Sequence, residues 1–178
     1  MLRKYANIIL LDADVLIHFF KARELQWLPS IFPAHQYYIL ENVYEELRYP
    51  AVRTAIDLLV ADARLHHCTF PEDLQILQAY AHLRERGLGD GESACLAVAR
   101  YHRHVIASSN LRDIRKYCHQ HQIHYLTTMD FLCAALQNGL FDRARCDAFI
   151  RLAREQGSRL PVKEMEAYDC GQYRLTAS

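Results

Sequence analysis

The sequence predicts an α/β fold organised around a mostly parallel sheet of about five strands. Short apolar runs alternate with helix-period segments along most of the 178 residues, which is the pattern of strands joined by helical crossovers. The segments are also punctuated by residues suited to helix caps and left-handed helix ends. A third observation is the placement of acids where apolar runs stop. Asp12 follows Asn7-Ile8-Ile9-Leu10-Leu11, Glu92 opens an apolar helix, and Asp113 comes shortly after Val105-Ile106-Ala107. An acid at a strand's exit serves a core poorly, and in parallel sheets that edge is where ligands bind.

Taken in order, strands are expected at 7–11, 36–40, 65–70, 104–107 and 123–126. Helices are expected at 15–22, 41–48, 51–63, 71–86, 92–101, 111–121 and 129–137. Pro71 suits a first helical turn, Asn110 and Thr128 suit N-caps, and Gly87 and Gly139 suit left-handed C-terminal positions. Helix 41–48 sets Val43 and Leu47 four residues apart, on one side. Helix 92–101 offers Ala94, Ala97 and Ala99 for close packing on a sheet. Beyond Gly139 the pattern is helical only. Segment 142–156 is amphipathic through Ala144, Ala148, Phe149, Leu152 and Ala153, and a weaker segment spans 161–168. One domain is expected, in two parts: an α/β unit at 1–138 and a helical extension at 139–178 packed on it. Appended helices either cover a sheet edge or present a surface to a partner, a second copy of the chain included.

Composition excludes several classes. With 51% hydrophobic residues the chain can bury one sizeable core. No run of about 18 apolar residues is present, so no membrane span is expected. Met1-Leu2-Arg3-Lys4 leads directly into the first strand, which predicts an unexported, cytoplasmic protein. Cys68, Cys95, Cys118, Cys133, Cys146 and Cys170 are widely spaced without a Cys-x-x-Cys pair, so reduced thiols are expected. Cys118, His119 and His121 fall on different sides of one helix, unlike zinc ligands. The formal charge is zero and the pI about 7.1, so a nucleic-acid site would have to be a local patch. Lys4, Arg100, Arg103, Arg112, Arg115 and Lys116 are its candidates, Arg112 and Arg115 being closest in chain to Asp113.

Four segments carry the candidate chemistry. Asp12 ends the first strand, and Asp14, at the start of the next helix, reads equally as a cap or as a second carboxylate of the crevice. Glu41, Glu45 and Glu46 lie on the helix after the second strand. Gly87-Leu88-Gly89-Asp90-Gly91-Glu92 follows a charged helix end, not a strand, which argues against a dinucleotide loop and leaves Asp90 and Glu92 at a helix start. Asp113 taken alone reads as part of a helix-capping arrangement with Asn110. Together they change meaning, because carboxylates that share one crevice repel unless a cation neutralises them.

These segments resemble the motifs of the PIN-domain family, metal-dependent nucleases that include the toxin halves of many toxin-antitoxin pairs. Leu10-Leu11-Asp12-Ala13-Asp14 is similar to its opening motif, and Glu45-Glu46-Leu47 to its second, whose glutamate precedes a leucine and so points to Glu46. Gly89-Asp90-Gly91-Glu92 resembles the third motif, and the spacing from Glu92 to Ser108 fits that family. Ile106-Ala107-Ser108-Ser109-Asn110-Leu111-Arg112-Asp113 resembles the fourth, although many members carry an aspartate where Ser109 stands. The resemblance covers roughly 7–137. It implies a three-layer α/β/α fold and Mg²⁺ or Mn²⁺ held by Asp12, Glu46, Glu92, Asp113 and Asp90. Asp14, Ser108 and Asn110 would support them. Arg112 and Arg115, close in chain to Asp113, read equally as contacts for substrate phosphates or as ordinary solvated charges. The implied activity is ribonuclease, with RNA as substrate and a protein antitoxin or a second copy as partner. Two rivals stand beside it: a degenerate domain that binds RNA or protein without cleavage, favoured by Ser109, and a hydrolase of small phosphate esters.

Overall fold

The structure, a computed structural model, describes residues 7–172. Met1 to Lys4, which bear on the export expectation and on the basic patch, lie outside the described residues. Five strands, β1 (Ile8–Leu11), β2 (Gln36–Leu40), β3 (His66–Cys68), β4 (Val105–Ala107) and β5 (Tyr125–Leu126), form one sheet ordered β3-β2-β1-β4-β5. All pairings are parallel, with Ile9 opposite Tyr37 on one side and Val105 on the other. The chain moves outward from β1 to β3, then returns to place β4 and β5 beyond β1. The order therefore reverses between β1 and β4, where a crevice opens at the carboxyl ends of parallel strands.

The helices are α1 (Ala13–Lys21), α2 (Leu28–Ile31), α3 (Glu41–Glu46), α4 (Pro50–Ala61), α5 (Leu74–Glu85), α6 (Asp90–His102), α7 (Leu111–His121), α8 (Thr128–Gln137) and α9 (Arg143–Glu155). Right-handed crossovers put α1 to α4 on one face of the sheet and α5 to α7 on the other. Helix α8 packs on α2, and α9 on α1 and α8, which returns the end of the chain to the first face. The result is a three-layer α/β/α sandwich. Its central helix is α6, buried from Gly91 through Ala99 and packed on β1, β2 and β4. Ile9, Leu11, Leu16, Phe19, Ile39, Leu96 and Ile106 are among the core side chains with no exposed surface. Each such aliphatic side chain contributes about 1.5–3 kcal/mol on leaving water.

The expected strands and long helices are present, and the departures are local. Helix α5 starts at Leu74 because the Asp73 carboxylate caps it through the Gln75 and Ile76 amides, so Pro71 precedes the helix. Thr127, not Thr128, caps α8, in a reciprocal box with Asp130. Gly87 and Gly139 take φ of +90° and +70° after α5 and α8. A single 3-10 turn at Met165–Ala167 stands where the weaker segment 161–168 is expected. Three elements lack a sequence expectation, the 3-10 turns Leu25–Trp27 and Cys170–Gln172 and helix α2; neither Leu25–Trp27 nor α2 has a side-chain cap, and Pro29 sits in the first turn of α2.

The helices after Gly139 are fixed to the sandwich by specific contacts. Phe149 meets Phe19 edge-on at 4.8 Å, and Phe19 meets Phe131 at 5.9 Å. The Arg145 guanidinium donates in a fork to Glu24, at 2.7 and 2.6 Å, with its carbon over the Trp27 and Phe141 rings. The expectation of six reduced thiols needs correction: Cys133 and Cys170 form a disulfide, with Cα atoms 5.5 Å apart. The fold brings the end of the chain back over α8, which no spacing between the two cysteines reveals. The other four are free. Among the described residues no helix is long and apolar enough to cross a membrane.

The bridge spans 37 residues of sequence, which predicts that reduction lowers unfolding free energy by about 2–4 kcal/mol. Urea unfolding with and without reductant checks this. Cys133→Ser should match the reduced wild type, and indifference of the wild type to reductant would refute the pairing.

Candidate active site

The crevice is built from the ends of β1 and β4 and the starts of α1, α6 and α7. Asp12 continues the β1 ladder through its amide, which donates to the Ala107 carbonyl at 2.9 Å, so the β1–β4 pairing fixes its backbone. Its carboxylate caps α1 by accepting from the Ala13 amide at 2.8 Å, and its residue is 6% exposed. The capping role considered for Asp14 thus belongs to Asp12. Asp14, in the first turn, instead reaches across to β4, where its Oδ2 accepts from the Ser109 amide at 2.7 Å. Its Oδ1 is enclosed and, among the described residues, has no hydrogen-bond partner, an arrangement proteins rarely tolerate without a ligand or other explanation.

Glu46 ends α3 and arrives from the opposite wall, accepting from the Gly91 amide at 2.9 Å. A Cβ at position 91 would lie 2.9 Å from both Glu46 Oε2 and Val43 Cγ2. Glycine there lets the start of α6 close on α3, which gives Gly89-Asp90-Gly91-Glu92 a packing reason in place of a nucleotide-binding one. Glu92, in the first turn of α6, is 6% exposed and accepts from Asn110 Nδ2 at 3.0 Å. The same nitrogen donates to Asp113 Oδ2 at 2.8 Å. Asn110 therefore stands at the N-cap of α7 without capping it, and ties Glu92 to Asp113 instead.

Asp90 is turned away from these groups. Its Oδ2 accepts from Asn42 at 2.9 Å, and its Oδ1 accepts from the Tyr80 hydroxyl with Arg84 at 3.5 Å. Arg112 and Arg115 are exposed on α7, outside the crevice proper. Ser108 is buried and its hydroxyl faces Asp12. Sequence reasoning did not find the chain behind Asp14: Thr128 donates from its amide to the Ser109 hydroxyl at 2.9 Å, and His18 Nδ1 lies 2.8 Å from Thr128 Oγ1. These residues are far apart in sequence, and no motif announces them.

Burial and mutual repulsion hold protons on the carboxylates. Asp12 is pushed up to about 6, first by burial, with Glu46 adding repulsion against hydrogen bonds from the Ala13 amide and Ser108. Asp14 is pushed up to about 8 by burial and then by Asp12, which outweigh the Ser109 and Val15 amides. Glu92 rises to about 7 through burial, then Asp12 and Asp113. The donors are all hard oxygens, the set Mg²⁺ and Mn²⁺ prefer, and Asp14 Oδ1 offers a lone pair with no competing partner. Among the described residues no three acidic, histidine or cysteine side chains already close on one point. Sharing an ion would draw Glu46 from the Gly91 amide and Glu92 from Asn110.

A group whose folded pKa is raised stabilises the fold below its unfolded pKa and loses that contribution as pH rises through the folded value. His18 and His35, lowered by burial, oppose this only below their ordinary value of 6.5. In chelator, unfolding free energy should therefore fall between pH 6.5 and 8, by about 1.4 kcal/mol per pH unit for each proton the folded chain alone holds. Asp14→Asn should flatten this slope. Denaturant unfolding at several pH values checks it, and a wild-type stability that rises across this window would contradict the described electrostatics.

A family model described as DUF3368, PIN domain, matches residues 8–168. No curated protein matches the chain. Among solved structures the chain is similar to one in VapBC-1 from nontypeable Haemophilus influenzae, at 17% identity and a TM-score of 0.49, over 68% of this chain and 98% of that one. The family match takes in all five strands and every acidic segment of the crevice, and this chain belongs to the PIN-domain family.

Proposed function

We propose that the protein is a divalent-metal-dependent ribonuclease that hydrolyses RNA phosphodiester bonds. The observation that carries this reading is the enclosed group of Asp12, Asp14 and Glu92 at the β1–β4 crevice, with Asp14 Oδ1 unpartnered, in a chain of a family whose members are generally nucleases. Asp12, Asp14, Glu46, Glu92 and Asp113 would hold one or two ions. When bound, Mg²⁺ or Mn²⁺ lowers the pKa of a water and offsets charge gathering on the phosphate.

The chain's own residues then divide the work. Asp12, fixed by the sheet and by the Ala13 amide, is the rigid member. Asp14 stands against the Ser109 amide, and so supplies a carboxylate beside the position where many family members carry an aspartate. Asn110 orients Glu92 and Asp113 together, and Ser108 orients Asp12. Asp90, joined to Asn42 and Tyr80, holds the start of α6 from behind. Residues 139–178 are an extension of the same domain, tied on by Phe149, Arg145 and Cys170. The activity fits a toxin whose partner is a protein antitoxin, with a second copy of the chain as another partner. Its place would be the cytoplasm, where the Cys133–Cys170 bridge is open to reduction.

A second reading, RNA or protein binding without cleavage, is favoured by the exposed Asp113 and by carboxylates that do not already converge. One assay separates the two: cleavage of a mixed RNA pool with Mn²⁺, with Mg²⁺ and with chelator. Wild type should cleave only with metal. Asp12→Asn should lose more than about 100-fold, and Asn110→Ala about 10–100-fold, the range for residues that orient ligands. Cleavage in chelator, or by Asp12→Asn at the wild-type rate, would reject the proposal. RNA bound but never cleaved would install the second reading.

A further inference from the structure

Along the outer side of α7 runs a groove of about 1080 Å³, lined by Arg112, Arg115, Lys116, His119, His124 and Tyr125 among others, and by no acidic residue. The first four follow at i, i+3, i+4 and i+7, so they form one stripe of the helix. The opposite side of α7 sends Ile114, Tyr117 and Cys118 into the core, which fixes the stripe outward. All five basic side chains are exposed, and the ion pairs among the described residues lie elsewhere, at Arg84, Arg145 and Arg151. A chain of zero formal charge therefore carries a strip of Arg112, Arg115 and Lys116 that makes no ion pair among the described residues.

The strip is continuous with the candidate active site. Helix α7 begins at the crevice, where Asn110 and Asp113 sit, and Arg112 is Asp113's neighbour. From there to His119 the helix rises about 10 Å, at 1.5 Å per residue. The far wall is β5, the edge strand of the sheet, with half-buried Tyr125 facing the groove. Cations in a row beside an accessible aromatic ring suit a single-stranded polyanion with stackable bases, since phosphates meet the charges and a base meets the ring.

We propose that this groove is the track for a single-stranded segment of the RNA whose scissile bond lies in the crevice, Arg112, Arg115 and Lys116 holding its phosphates and Tyr125 a base. This rests on the ribonuclease reading, and it adds the path of the strand away from the crevice and the form of the substrate. Its test is binding of a fluorescent oligouridine to the full chain in chelator, at several salt concentrations. Arg115→Glu combined with Lys116→Glu should lower affinity at least about tenfold and reduce the salt slope by about 1 to 2. The neutral pair Arg115→Gln and Lys116→Gln should fall between, all at an unchanged melting temperature. Equal binding by the charge-reversed variant overturns the track, as does saturable binding of polyglutamate of equal charge by a wild type that binds no oligouridine, which would mark the groove as a seat for an acidic protein. Loss of binding in the reversed variant together with Asp12→Asn that still cleaves would keep the track and sink the metal site.

Discussion

Carboxylates gathered where water barely reaches are the constraint on which the rest of this molecule depends. Asp12 and Glu92 are almost wholly buried; Asp12 raises the cost of ionising Glu92, and Glu46 raises that of ionising Asp12. Asp14 adds a third acid, one of whose oxygens makes no hydrogen bond among the described residues. A fold gains no stability from such an arrangement at neutral pH, because each group must either keep a proton or meet an opposite charge. Its persistence in an otherwise well-packed sandwich is the physical sign of a site.

The scaffold supplies these groups from elements that cannot easily move. Asp12 hangs on a ladder hydrogen bond at the point where strand order reverses, and Glu92 lies in the first turn of α6, which is buried from Gly91 through Ala99. Gly91 closes the gap to α3 and positions Glu46, so one missing Cβ joins packing to chemistry. Asn110 performs the same joining between α6 and α7. The exposed stripe of α7 continues outward from this corner, which makes one helix both a wall of the crevice and the floor of the cationic groove.

The layers of the fold were legible because apolar runs such as Ile8-Ile9-Leu10-Leu11 and Val105-Ile106-Ala107 can be buried only in a central parallel sheet. Caps were legible in kind but not always in place. Asp73 outcompeted Pro71 as the start of α5, and Thr127 outcompeted Thr128, because a reciprocal box with Asp130 satisfies two amide donors at once. The short elements between Leu25 and Ile31 carry no cap signal, and their burial comes from tertiary contacts. At the site, strand ends and helix starts told which acids could gather, whereas side-chain direction was invisible. Asp90 and Glu92 are two residues apart, yet one faces Tyr80 and the other Asn110. The relay through Ser109, Thr128 and His18, and the bridge from Cys133 to Cys170, join positions whose nearness only the folded chain creates.

The most direct measurement is a titration of the metal-free protein with Mn²⁺ near pH 8, followed by electron paramagnetic resonance of the free ion, for wild type, Asp12→Asn and Asp14→Asn. Buried acids that need a cation require saturable uptake of one or two ions by wild type, strongly weakened in both variants. Uptake that is absent from wild type, or that survives both substitutions, would contradict the claim that these carboxylates form one cation site.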